Sequence, residues 1–100
     1  AGLFVKKDFA AKNPQMVKDV AQMLSDSTDW CNTNPDAAIE QAQNTLPLPA
    51  AVMKASLQRT EFKYIPSAEC RDEVKKYLET IQQIDPNSIK QLPDQGFYGE

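Results

Sequence analysis

The side chains that could do chemistry in this sequence are mostly carboxylates and hydroxyls. Asp26 and Asp29 stand three residues apart, Asp72 and Glu73 are adjacent, and Ser25, Ser27 and Thr28 crowd the first pair. A carboxylate pair does acid–base work when its two members converge across a cleft. Here each pair falls on the polar side of a helical pattern, so a solvated helix face is the better reading. A hydroxyl nucleophile needs a base beside it, and the chain has no histidine. That removes the commonest general base, the usual zinc ligand and any Ser/His or Cys/His pair. No catalytic residue, metal ligand or cofactor is therefore expected, and the chain reads as a non-enzyme.

Other features point to binding at most. The only glycines are Gly2, Gly96 and Gly99, too few and too scattered for a phosphate-cradling loop. Trp30, Phe62 and Tyr64 could line an apolar pocket, although aromatic side chains more often cover seams between elements. Lys6 and Lys7 could attract an anion, but alternation along an extended chain puts them on opposite faces. With a net charge of −3, and basic pairs only at Lys6-Lys7 and Lys75-Lys76, no basic face for nucleic acid is expected. Cys31 and Cys70 lie 39 residues apart and match no metal or CxxC spacing. The pair is compatible with a disulfide in an oxidising compartment. Two free thiols are the favoured alternative, because free cysteine is a common buried type.

The elements that must position these groups are mainly helices. The one hundred residues are 41% apolar and 25% charged, which suits one soluble domain with a modest core. No apolar run approaches the roughly 20 residues that span a bilayer. There is no initiator Met and no visible signal peptide, so a mature, processed or excised chain is expected.

The first stretch, LFVKKDF, predicts a strand over 3–9, with Leu3 and Val5 on one face and Phe4 on the other. Apolar residues on both faces suggest an inner strand. Asn13-Pro14 then opens a helix over about 14–31, with Val17, Val20, Leu24 and Cys31 on its inner face. Asn34-Pro35 opens a second helix, on which Ala38, Ile39, Ala42 and Leu46 form a small-residue face. The LPLP run at 46–49 ends it and starts a third helix with Val52, Met53 and Leu57 inside.

Glu61 to Ile65 predicts a short strand or extended segment with Phe62 and Tyr64 on one face. Ser67 is expected to cap a fourth helix over about 68–84, with Cys70, Val74, Tyr77, Leu78, Ile81 and Ile84 at helical spacing. The tail, 85–100, is irregular, with Ile89, Leu92, Phe97 and Tyr98 as anchors. The expected fold class is mostly α with one or two short β-strands. An isolated inner strand leaves N–H and C=O groups unpaired, so its partners are expected in sequence outside this stretch.

The order of these pieces resembles the type-2 periplasmic solute-binding proteins. LFVKKDFAAKNPQMVKDV is similar to the family's strand running into "KDF" and an Asn-Pro helix. WCNTNPDAAIEQA continues the match, and LPLPAAVMKASLQRTEFKYIPSAE extends it through "LP", "ASL", an arginine and "PSAE". The likeness covers nearly the whole chain and rests on the ordered series, since no single motif is specific. The Cys31/Cys70 pair departs from the family pattern.

The resemblance implies the C-terminal fragment of an α/β, two-lobed fold, roughly one third of a complete member on domain-size grounds. In it, 1–100 is a single partial domain: a return hinge strand at 3–9, four helices on the first lobe, and the tail. The implied function is that of the solute-binding component of an ABC importer. Such a protein captures a small anionic or heterocyclic solute of the nitrate, sulfonate, taurine or thiamine-precursor-like kind. The implied partners are that solute and the transporter permease. The implied location is the periplasm or the outer face of a membrane, with a lipid anchor compatible. No ligand-binding residue carries over by motif.

The alternative is a free-standing helical interaction or small-ligand module. A biosynthetic enzyme of the thiamine-precursor type needs a nucleophile or a convergent acid–base pair, and the sequence shows neither. A severed fragment is also expected to self-associate through exposed strand or helix faces.

Overall fold

The computed structural model of the chain describes residues 1–99. It contains five α-helices and one 3₁₀ turn, and no strand among the described residues. Backbone contacts divide the chain into two units, 1–64 and 65–100.

The first unit begins with residues 1–6, which carry no regular secondary structure. The strand expected over 3–9 does not form. Residues 7–9 belong instead to a short helix, α1 (Lys7–Lys12, KDFAAK). The physical reason is local. An inner strand needs neighbours for its N–H and C=O groups, and none is present, whereas one helical turn satisfies them within the segment. Ala10 N–H donates to Lys6 O at 3.0 Å and Asn13 N–H to Phe9 O at 2.9 Å. Asp8 in the first turn and Lys12 in the last complement the helix dipole.

The two Asn-Pro pairs make one device twice. Asn13 ends α1 and begins α2 (Pro14–Thr33); Asn34 ends α2 and begins α3 (Pro35–Ala42). Proline disfavours the α conformation in the residue before it. Asn13 accordingly sits at φ −133°, ψ 56° and Asn34 at φ −126°, ψ 61°.

Neither asparagine side chain caps the helix that follows, as the sequence suggests it would. Each reaches back instead. Asn13 Nδ2 donates to Phe9 O at 3.2 Å and Asn34 Nδ2 to Trp30 O at 3.1 Å. The backbone N–H of each residue donates to the same carbonyl, and the asparagine's own carbonyl accepts the first bond of the next helix, from Val17 and Ala38 respectively. One residue thus closes one helix and opens another.

The covered face of α2 runs through Val17, Ala21, Ser25, Thr28 and Cys31, all half-buried. Val20 and Leu24, expected on that face, are exposed. Helix α3 packs on α2 and on α4 (Ala50–Leu57). The buried centre of this unit is Ile39 from α3 and Met53 from α4. Burying one such side chain contributes about 1.5–3 kcal/mol, so the core is thin.

The second unit is α5 (Ser67–Ile84) with a tail folded along it. Ser67 is the first helical residue, after Pro66, and makes no capping bond with its side chain. Cys70, Val74, Leu78 and Ile81 are half-buried as the spacing suggests, while Tyr77 and Ile84 are exposed, Ile84 by 79%. Gln82 Nε2 donates to Ile89 O at 3.0 Å and pins the start of the tail. The tail ends in a 3₁₀ turn, Gln95–Tyr98, capped by Asp94 Oδ1 accepting from Gly96 N–H at 3.0 Å.

Tyr98 is the buried residue among the described residues of this unit, and Phe97 meets its ring edge-on with centroids 5.3 Å apart. Of the expected anchors, Ile89, Leu92 and Tyr98 are covered, whereas Phe97 is exposed.

In the first unit Leu3, Val5, Met16, Met23, Trp30, Leu46, Leu48 and Val52 are exposed.

Candidate functional site

An open, shallow depression in the first unit, about 520 Å³ in volume, is lined by Asn32, Leu57, Gln58, Arg59, Thr60 and Glu61. Two elements build it. The C-terminus of α4 tightens beyond Leu57: Gln58 N–H donates to Lys54 O, Arg59 N–H to Ser56 O and Thr60 N–H to Leu57 O. These bonds curl Arg59, Thr60 and Glu61 around the helix end. The last turn of α2 supplies Asn32, whose Nδ2 donates to Phe62 O at 2.6 Å. That bond fixes the chain leaving the depression against α2.

The lining offers one guanidinium, one carboxylate, amides and a hydroxyl on an open, mostly exposed surface. A guanidinium can hold a carboxylate, sulfonate or phosphate oxygen pair by two parallel N–H bonds. The arrangement presents charged and hydrogen-bonding groups to solvent.

In the second unit, Ala68, Glu69, Arg71, Asp72 and Glu73 line a depression of about 570 Å³ beside the first turns of α5. Arg71 donates from one terminal nitrogen to Gly99 O at 3.1 Å, while its Nε and the Tyr98 hydroxyl are buried without a hydrogen-bond partner. Asp72 and Glu73 are exposed along α5, as their helical pattern suggests.

The other residues singled out from the sequence are dispersed. Asp26 is exposed and accepts from Gln22 Nε2 at 2.8 Å, and Thr28 Oγ1 donates to Leu24 O at 2.8 Å. Both bonds stay within one helix. Phe62 and Trp30 are exposed and Tyr64 is half-buried. Cys31 and Cys70 are both half-buried free thiols. Among the described residues no three His, Cys, Asp or Glu side chains gather to hold a metal ion, and no helix is long and apolar enough to cross a membrane.

Sequence reasoning did not assemble Asn32 with Arg59 and Glu61, because a side chain bonding to a distant main-chain carbonyl leaves no periodic signature. Compared with protein-family models, curated proteins and solved structures, the chain matches none.

Proposed function

We propose that this chain is the C-terminal portion of the solute-binding component of an ABC importer. The solute is small and anionic or heterocyclic, of the nitrate, sulfonate, taurine or thiamine-precursor-like kind. Two lobes close around it, because the closed form gains contacts from both. The reading draws on the ordered series of motifs, from the KDF segment through both Asn-Pro helix starts to PSAE.

The observation that carries it is the thin core. Among the described residues Ile39, Met53 and Tyr98 are the buried apolar ones, while many large apolar side chains stay exposed. The exposed Leu3, Val5, Leu46, Leu48 and Val52, all outside α2, suit a chain that packs on further structure. In this reading the rest of the polypeptide completes the two-lobed fold and docks on a permease outside the membrane.

The test is the natural gene product. A polypeptide of about three times this length, produced whole, should show a thermal shift with one member of the solute series and a closing motion in small-angle scattering. A natural product ending at both termini of this chain, or a whole protein indifferent to every solute, would overturn the reading.

A second reading, a free-standing helical module, is favoured by the absence of strands among the described residues. It requires cooperative unfolding of the 100-residue chain alone, which urea titration followed by circular dichroism decides.

A further inference from the structure

Helix α2 carries two apolar faces. One, through Val17, Ala21, Thr28 and Cys31, is covered. The other, through Met16, Val20, Met23 and Trp30, is exposed, Met23 by 65% and Trp30 by 44%. At about 100° per residue, this second stripe lies roughly 120° around the axis from the first. Its spacing of four, three and seven residues, with Ser27 filling the gap, is the alternation by which one helix seats against another.

One edge of the stripe is acidic. Asp19 and Asp26 flank it, and each carboxylate is held by a glutamine one turn earlier: Gln15 Nε2 donates to Asp19 Oδ1 at 2.9 Å and Gln22 Nε2 to Asp26 Oδ1 at 2.8 Å. The only lysine of α2, Lys18, stands on the far side of the helix.

We propose that this face docks an amphipathic helix of another protein that carries lysine or arginine along one edge of its apolar stripe. The charge pattern selects that occupant. In an antiparallel pair of two copies, Asp19 of one copy would face Asp26 of the other, which is unfavourable. An anionic membrane surface meets the same carboxylates. A basic edge finds two carboxylates already oriented. The stripe is roughly 20 Å long and covers less than the roughly 800 Å² per partner of a stable interface. Docking is therefore weak, with a dissociation constant on the order of 10–100 μM. The proposal does not rest on the transport reading: solute binding and helix docking are measured separately, and either can fail alone.

Trp30 is the only tryptophan of the chain, so its fluorescence reports on this face. The probes are two designed helices of roughly 20 residues with the same apolar stripe, one edged with lysine and the other with glutamate. The lysine-edged helix should shift Trp30 emission to the blue, and raising salt from about 0.05 to about 0.5 M should weaken binding at least about threefold. Met23→Glu should reduce affinity about tenfold or more with unchanged helicity, since that side chain is exposed in the free chain. Asp19→Lys with Asp26→Lys should reverse the preference toward the glutamate-edged helix. Equal binding of both helices, binding of neither, or the same shift produced by anionic vesicles or by concentrating the chain alone would overturn the proposal.

Discussion

The Asn32 side chain donates to the main-chain carbonyl of Phe62 at 2.6 Å, across thirty residues of sequence. It ties the end of α2 to the chain that leaves α4, and it bounds the depression containing Arg59 and Glu61. Asn32→Ala should cost about 0.5–1.5 kcal/mol, the net value of such a bond where water can replace the donor. Asn32→Asp should cost more, because a carboxylate faces a carbonyl oxygen. Urea denaturation checks the size, and faster amide exchange over residues 60–64 checks the place.

The thin core of the first unit concentrates its stability in two side chains. Met53→Ala should destabilise by about 2–5 kcal/mol, whereas Met23→Ala on the exposed face of α2 should change stability by less than about 0.5 kcal/mol. Chemical denaturation of the two variants side by side would expose a wrong core assignment if their midpoints moved equally.

Gly99 has φ +68°, and a Cβ there would lie 2.9 Å from Ser67 Oγ. Gly99→Ala should therefore cost about 1–2 kcal/mol and loosen the last turn from α5. The neighbouring Tyr98 hydroxyl is buried without a hydrogen-bond partner. Tyr98→Phe removes the orphan group and should be neutral or stabilising, while Tyr98→Ala should cost about 3–5 kcal/mol. Thermal melts of the three variants give the ordering.

Cys31 and Cys70 are free thiols. Without reductant, the denatured chain should take up two equivalents of a maleimide, and the native chain should react more slowly because both residues are half-buried. A mass two protons lower with no labelling would mean a disulfide.

Much of the helical architecture was legible because proline and the apolar repeat act locally. Pro14 and Pro35 marked the starts of α2 and α3, and Cys70, Val74, Leu78 and Ile81 marked the covered face of α5. The LFVKKDF segment differs from its expected strand because a block of three apolar residues followed by three charged ones is too short to separate the two periods. Asp8, Ala10 and Ala11 then favour a helix once no strand is there to pair. On α2 the apolar repeat was real but double. Met16, Val20 and Met23 form one stripe and Val17 and Ala21 another, and periodicity alone does not say which is covered. The depression at Asn32 escaped for a different reason, since its defining bond joins a side chain to a remote backbone carbonyl.

The paired roles of Asn13 and Asn34 carry a last consequence. Most helical proteins change direction through loops of several residues, and those loops absorb insertions and deletions. Here α1, α2 and α3 are joined end to end at single residues, so the joints have no slack. One residue added within α2 would turn everything beyond it by about 100° relative to the preceding joint. The part of the covered stripe before the insertion would lose its alignment with the part that ends at Cys31. This segment should tolerate changes of residue type far more readily than changes of length.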